Sequence, residues 1–583
     1  MASPSPFSAL LGTNYSPNDS ELAAVRTYIA QRTTHFYSLK QQIESLQQAL
    51  CALVPDAEAA RADVVAHTKL VAPIHRIPVE ILQRIFVECL PANRNCVMSA
   101  TEPPMLFGRV SSGWRRAAYS DPRLWTRLHV DFPAFNWRTL SSPRQTIERM
   151  VGVAGELPGL DKVDYVLGIN EKRNRLLSAV CWWLDKTGNC PLSISAAIEA
   201  DPEPLVTVLA QYASRWDVVA LKAMDGSILS SLLTLPDGAV PWLTSLSIYE
   251  HGPIDMIEGN ATIFHGQNTS DALRSRLPVS GELWNAANAI RAPHLRRLEL
   301  VSPLIKPLEL PITWRQLTTL RLDAKRNRSA MTSNGVVAVL KRSPQLREFD
   351  VSIRDRASTE FNQDCIVHQN LQSLRLVYSS LTRLGPFAAL GDRLRLPALR
   401  RFELIGDIKG VGARVLSSSF SQHFVAKAML LHSVRVTIGL FTQPELNDFL
   451  AHLPPSVHSL HFPAYVPQEG DQGRVLHERG ARLDGAVLQG LSPPALPQLR
   501  EIVIDSPVNV FDDDLVRFVD QRLGSLKRVR VVYATASPGP YARRGVAATR
   551  LHALEHGAVP GLQLELVCSP RPRPNIRFVP VRS

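Results

Sequence analysis

A chain of 583 residues is longer than one hydrophobic core usually organises, so several domains or an extended repeat are expected. The 45% hydrophobic content is enough to fold most of that length, whereas 43 prolines argue against one long helical bundle or one uninterrupted sheet. The formal net charge of +12 favours acidic partners, but the basic residues are spread along the chain, which disfavours a nucleic-acid binder.

The cysteines and the N-terminal residues bear on the compartment of the protein. Seven cysteines are scattered without CxxC spacing, which predicts reduced thiols and neither a disulfide framework nor a zinc cluster. Residues 1–16 lack a basic start and a long apolar stretch, and no segment of the chain approaches 18 consecutive apolar residues. We therefore expect a cytoplasmic or nuclear protein without a membrane span.

A heptad pattern follows a predicted disordered segment, 1–19, and marks a helical region at 20–72. Position a is occupied by Leu22, Ile29, Phe36, Ile43 and Leu50, and position d by Val25, Arg32, Leu39, Leu46 and Leu53. This spacing predicts a long helix with one apolar stripe, which Pro55 is expected to break or kink. Packing of the stripe on the same chain is the favoured interpretation, and self-association through residues 20–53 is the alternative.

The segment 73–130 combines two short amphipathic helices. Pro78 stands where a first helical turn begins, and Ile77, Ile81, Ile85 and Cys89 then recur every four residues beside the row Leu82, Phe86 and Leu90. After a polar loop, Phe107, Val110, Trp114 and Ala118 form a second stripe, and Asp121-Pro122 makes a turn before Leu124-Trp125. So small a helical hairpin cannot bury all of its own apolar surface.

The strings IPVEILQRIF (77–86), VSSGWR (110–115) and DPRLW (121–125) resemble the F-box, in the style of the F-box-like proteins of mushroom-forming fungi. The resemblance implies that this element docks on the Skp-family adaptor of a cullin–RING ubiquitin ligase. It places on the docking face Ile77, Pro78, Ile81, Leu82, Ile85, Phe86, Val110, Trp114, Leu124 and Trp125. The alternative is a helical cap on the rest of the chain.

A repeated L-x-x-L-x-L phrase fills most of 186–568, after a connecting segment at 131–185. The steps between successive phrases from Leu295 are 22, 29, 25, 28, 32 and 26 residues, close to the 20–29 residues of leucine-rich repeats. Segments between phrases, such as 334–341 and 445–452, are predicted helices. The expected fold class is α/β: an N-terminal amphipathic helix and a small helical F-box, followed by an irregular leucine-rich-repeat-like solenoid.

The residue between the last two apolar positions of each phrase points to the opposite side of its strand. Together these outward residues predict a large face of mixed charge, which suits a protein target better than a small ligand. The face consists of Glu299, Arg321, Asp350, Arg375, Glu403, Arg435, His461, Val503 and Arg530. The alternative is that they form an ordinary solvated strand face.

Enzyme signatures are scarce. His552, Glu555 and His556 match an HxxEH zinc motif, but the further acidic ligand that this motif needs is missing from a suitable distance downstream. The basic, proline-rich tail 569–583 is predicted to be solvated.

We expect no cofactor and no catalytic residue. The predicted function is that of a substrate-recognition adaptor of a ubiquitin ligase. An F-box-like scaffold outside the ligase is the alternative.

Overall fold

A computed structural model gives the structure of the protein. It describes residues 5–70, 73–132, 159–198, 203–223, 235–250, 287–301, 307–323, 331–353, 365–378, 390–406, 425, 427–463, 481, 483–508, 512–533 and 546–568. The predicted tail 569–583 lies outside the described residues. The chain divides into two compact units, Met1–Ile85 and Phe86–Ser583.

The described helices are bounded as follows: α1 Asp19–Leu70, α2 Val79–Glu88, α3 Phe107–Val110, α4 Ser112–Tyr119, α5 Gly159–Asp185, α6 Glu203–Gln211, α7 Ser333–Arg342, α8 Gln443–Ala451, α9 Gly485–Gly490, α10 Asp512–Gln521 and α11 Val546–Glu555. The helices predicted at 334–341 and 445–452 are confirmed as α7 and α8. Within the described part of the chain, no helix is long and apolar enough to cross a membrane.

Helix α1 is continuous over 52 residues. It begins with a capping box, in which Asn18 Oδ1 accepts from Glu21 N and Glu21 Oε2 accepts from Asn18 N, both at 2.9 Å. Of the break or kink predicted at Pro55, the break is wrong, because the helix runs through this residue to Leu70. One proline removes a single backbone hydrogen bond, and the flanking turns on either side hold the helix.

The heptad stripe of α1 is exposed. Its large members from Ile29 to Leu53 are 45–70% accessible to solvent, and no other described part of the first unit covers them. Within the described residues of the first unit, the stripe does not pack on its own chain, which was the favoured interpretation. An exposed apolar stripe of this length indicates an interaction surface.

The second unit is built on a parallel sheet. Its strands are β1 Cys96–Val97, β2 Arg127–Phe132, β3 Leu192–Ile198, β4 Trp216–Ala223, β5 Ser245–Glu250, β6 Arg297–Val301, β7 Thr319–Asp323, β8 Glu348–Ile353, β10 Ser373–Tyr378, β12 Arg401–Gly406, β13 Ser433–Val436, β14 Ser459–Phe462, β15 Glu501–Val508, β16 Arg528–Tyr533 and β17 Gln563–Cys568. They lie side by side in this order, and all neighbours are parallel. Strands β9 Ile366–Val367 and β11 Leu394–Arg395 form a separate pair.

The leucine phrases explain this order, because each places the same apolar position beside that of the next. Leu298 pairs with Leu320, Leu320 with Phe349, and the row continues through Leu374, Phe402, Val434 and Leu460. Every member of the row is almost completely buried. The mixed α/β, leucine-rich-repeat-like solenoid that the sequence predicts is the fold of this unit.

The sheet begins earlier than the predicted boundary at residue 186. Strand β1 lies within the predicted F-box segment 73–130, and β2 begins in it, runs past its end to Phe132 and pairs in parallel with β3 over its whole length. Leu128, Val130 and Phe132 alternate with more accessible residues and continue the buried row. Helix α5 occupies much of the predicted connecting segment 131–185 and buries Val180, Trp183 and Leu184.

Replacement of Leu374 by alanine should lower the free energy of unfolding by about 2–5 kcal/mol, because the buried side chain leaves a cavity in the middle of the sheet. Urea titration followed by circular dichroism measures the effect. The matched control is Val367→Ala on the exposed side of β9, where the change should be about 0.5 kcal/mol or less. Equal losses for the two variants would contradict the assignment of Leu374 to the core.

Candidate functional site

Helix α2 carries the first part of the predicted docking face. The Pro78 carbonyl accepts from Ile81 N at 3.1 Å and from Leu82 N at 3.0 Å, so this proline opens the helix, as the sequence predicts. Ile81 and Ile85 lie one turn apart and are 51% and 42% exposed. Pro78 is exposed and Ile77 half-buried, whereas Leu82, on the neighbouring row, is buried.

The aromatic residues of the F-box-like segment lie mainly in a core. Phe86 is fully buried and stacks on Phe107, with ring centroids 4.1 Å apart. Trp114 is half-buried, and its ring centroid lies 4.9 Å from that of Phe86. Val110 is exposed. Phe86 therefore holds α2 to the helices that follow and is not free to contact a partner.

Leu124 and Trp125 are also fully buried. The Trp125 indole N–H donates to the Ala118 carbonyl at 3.0 Å. The backbone carbonyl of Trp125 accepts from the Trp183 indole N–H at 2.6 Å. Helix α5 thus supplies the apolar cover that the small hairpin lacks. The predicted docking face is corrected accordingly: Leu82, Phe86, Leu124 and Trp125 are core residues, and the exposed members are Pro78, Ile81, Ile85 and Val110.

The outward residues of the sheet form a continuous row, which we call the charge ladder: Glu299, Arg321, Asp350, Arg375, Glu403, Arg435, His461, Val503 and Arg530. Each member pairs in register with the next, on strands β6 to β16. Strand spacing of about 4.8 Å makes the ladder about 40 Å long. The structure thus brings together every residue that the sequence predicts for the target-binding face.

Neighbouring charges in the ladder pair with one another. Asp350 lies between two arginines, 3.2 Å from Arg321 Nε and 2.9 Å from Arg375 Nη1. Glu403 lies 3.4 Å from Arg375 Nε and 3.8 Å from Arg435 Nη1. The strand register sets this alternation of sign, because opposite charges occupy facing positions of adjacent strands.

The arginines stand further out than the acids. The side chains of Arg321, Arg375 and Arg435 are 34–39% exposed, whereas those of Asp350 and Glu403 are 23% and 19% exposed. A guanidinium has five N–H donors, and one or two ion pairs leave some of these donors directed to solvent. The ladder therefore offers donors to a partner above a deeper layer of carboxylates.

Three further residues belong to the ladder although their position in the sequence phrase does not reveal them. Tyr249 donates its hydroxyl proton to Glu299 Oε2 at 2.7 Å. Asp505 lies 2.8 Å from His461 Nε2 and 3.3 Å from Arg530 Nε. It supplies the acidic partner between these two residues, where the ladder position itself is the apolar Val503. Glu565 on β17 lies 3.7 Å from Arg530 Nε. The signal available in the sequence was the period of two along each strand, which puts 503 and 505 on one face.

Burial affects the acid at the middle of the ladder. Desolvation raises the pKa of the Asp350 carboxyl above its ordinary value of 3.8, although Arg375 and Arg321 both oppose the rise. Desolvation also raises the pKa of Tyr249, and the hydrogen bond to Glu299 adds to it. Within the ladder, ion pairing thus offsets only part of the desolvation of Asp350.

The HxxEH motif lies on α11. The rings of His552 and His556 stack with centroids 4.1 Å apart, and Glu555 Oε1 accepts from Leu566 N at 3.2 Å. The Glu555 carboxylate thus binds a backbone N–H of the neighbouring strand β17. Across the residues that the structure describes, no group of three or more His, Cys, Asp and Glu side chains is arranged to hold a metal ion.

Comparisons with solved structures give remote likenesses, among them the following two. A chain of the crystal structure of the Rad7 and Elc1 complex in yeast matches with a TM-score of 0.35 and 10% identity, over 85% of this chain and 95% of that chain. The leucine-rich repeat-containing protein LegL7 from Legionella pneumophila matches with a TM-score of 0.28 and 14% identity, over 50% of this chain and 88% of that chain. At these TM-scores neither likeness identifies a function. No family model and no curated protein matches the chain.

Asp350→Asn should change the pH dependence of stability. Because the folded state raises the pKa of Asp350, the folded wild type binds a proton more readily than the unfolded chain between pH 3.8 and that raised pKa. Wild type should therefore lose stability relative to the Asn variant as pH rises through this window. Urea midpoints of both proteins at pH 4 and pH 7 measure the difference. A gain in stability of wild type relative to the Asn variant at pH 7 would contradict the raised pKa of Asp350 in the folded state.

Proposed function

We propose that this protein is a non-catalytic substrate receptor of an SCF-type ubiquitin ligase. Helix α2 docks on the Skp-family adaptor, and the charge ladder binds a target protein. Ubiquitin transfer belongs to other subunits of the cullin–RING ligase, and no residue of this chain takes part in the chemistry. The proposed compartment is the cytoplasm, the nucleus or both.

The observation that carries the adaptor half of the proposal is the exposure of Ile81 and Ile85. Both are large aliphatic side chains, and both lie on the segment whose sequence resembles an F-box. A short helix that keeps two isoleucines in solvent, while Leu82 beside them is buried, has a face left for a partner. Because each isoleucine is already about half covered, burial of its remaining surface contributes on the order of 1 kcal/mol to such an interface.

The charge ladder supports the receptor half of the proposal. It extends over nine strands, more than a small ligand covers, and it combines donors with recessed acceptors. Because the internal ion pairs leave part of each guanidinium exposed, a target that offers acceptors can bind the arginines above Asp350 and Glu403. Such a face favours specificity over strong attraction, since mismatched charges on a wrong partner cost free energy.

A scaffold outside the ligase is the second candidate function. The observation that favours it is the exposed stripe of α1, which no described residue of the first unit covers. This candidate predicts assembly through α1 without binding of the Skp-family adaptor.

The double variant Ile81→Asp/Ile85→Asp should abolish binding of the full-length chain to purified Skp-family adaptor. Two charges in an apolar contact should weaken it on the order of 100-fold or more, and biolayer interferometry measures the loss. Both positions are exposed, so the fold should be retained. Arg84→Asp on the exposed polar side of α2 is the control and should bind nearly as wild type. Failure of the wild type to bind would reject the adaptor role.

The double variant Arg435→Gln/Arg530→Gln should lose target proteins while it retains the adaptor. These changes remove guanidinium donors from the ladder and keep side chains of similar length. Arg517→Gln/Arg550→Gln, which removes ion-paired arginines from helices α10 and α11, is the matched control. Quantitative mass spectrometry of proteins that co-purify with each variant gives the readout. Equal recovery of every protein by the two double variants would place the target site elsewhere.

A further inference from the structure

The exposed stripe of α1 is long, regular and uncovered within its own unit. Ile29, Phe36, Leu39, Ile43, Leu46, Leu50 and Leu53 repeat with 3,4 spacing and are 45–70% exposed. We propose that α1 pairs with α1 of a second copy of this chain, as a parallel two-stranded coiled coil centred on residues 22–53. The inference stands apart from the proposed ligase function, because it uses no residue of the docking helix α2.

The residue types at the seam favour two strands. β-Branched Ile29 and Ile43 occupy two of the five a positions, and Leu39, Leu46 and Leu53 occupy three of the five d positions. This combination favours parallel dimers, because the packing geometry at a and d differs in a two-stranded coil. Leucine at a with isoleucine at d, which favours larger assemblies, is not the dominant pattern here.

The charges beside the seam favour the parallel orientation. In the heptad register, position g carries the acids Glu21, Asp56 and Asp63, and position e carries the bases Arg26, Lys40 and Arg61. A parallel pair brings each g residue to the e residue five positions further along the other helix, which matches Glu21 with Arg26 and Asp56 with Arg61. An antiparallel pair would instead set e against e and g against g, and like charges would meet.

Two unusual residues fit the same register. Pro55 falls at position f, on the side of α1 away from the seam, so its lost backbone hydrogen bond leaves the contact surface intact. Arg32 is the one charged residue among the a and d positions from Leu22 to Leu53, and its guanidinium lies 5.8 Å from the Tyr28 ring centroid. In a parallel pair Arg32 faces its own copy, which lowers stability but penalises shifted registers that would set the charge against an apolar residue. The contact with Tyr28 holds the guanidinium beside position g.

The mass of the full-length chain in solution tests the pairing. Sedimentation equilibrium should give twice the chain mass for wild type. Ile43→Asp should raise the dimer dissociation constant on the order of 100-fold or more, because both copies bring a charge into the seam. Gln48→Asp adds the same charge at position f and should leave the dimer unchanged. A monomeric or trimeric wild type, or equal weakening by the two variants, would overturn the proposal.

Disulfide cross-linking tests the orientation. Identical d residues face each other only in a parallel pair, and a disulfide requires Cα atoms within about 7 Å. Leu46→Cys should therefore form a covalent dimer on mild oxidation, whereas Gln48→Cys and wild type, whose own cysteines serve as background, should not. If Leu46→Cys also fails while wild type is dimeric, the parallel orientation is wrong. Adaptor binding by Ile43→Asp, measured in parallel, separates this result from the role of α2.

Discussion

The parallel register between successive strands is the constraint on which the second unit depends. From β5 to β16 of the main sheet, the residue before each strand donates its N–H to a carbonyl at the start of the preceding strand, and Gln563, the first residue of β17, continues the series. The N···O distances from Thr244 to Gln563 are 2.7–2.9 Å. Without the preceding strand, the N–H at the start of each of these strands would have no acceptor, and the apolar face of the strand would be uncovered. Stability therefore accumulates from neighbour to neighbour, and a repeat taken alone would not fold.

The same register creates the charge ladder. Because side chains alternate across each strand, a pairing that stacks leucines on one face must also stack the intervening residues on the other. Opposite signs at adjacent positions then neutralise one another, and Asp350 remains paired although burial opposes its charge. A slip of one residue would bury these charges and expose the leucines, so the apolar core also keeps the charge ladder in solvent.

The first unit follows a different physical logic. Helix α1 satisfies its backbone hydrogen bonds internally and leaves its apolar stripe in solvent, and α2 leaves Ile81 and Ile85 exposed. Apolar surface of this kind gains free energy only when a partner covers it. The two exposed helical faces are apolar and the ladder is charged, so they suit partners of different chemistry.

Local patterns in the sequence determined much of the fold. The heptad predicted α1, the Ile-Pro start predicted α2, and the leucine phrases predicted both the leucine-rich-repeat-like solenoid and the ladder residues. These predictions succeed because periods of 3.5 and 2 residues translate directly into faces of helices and strands. The path of the helix through Pro55 was not readable, because it depends on the turns that flank the proline.

Tertiary packing decided which apolar residues became core and which became surface. Phe86, Leu124 and Trp125 share the apolar character of Ile81 and Ile85. Distant groups fill the space around the first three: Phe107 stacks on Phe86, and α5 brings Trp183 to Trp125. Tertiary packing likewise brought Asp505 and Glu565 into the ladder. Sequence periodicity specifies the face on which a residue lies, but burial depends on what the rest of the chain brings to that face.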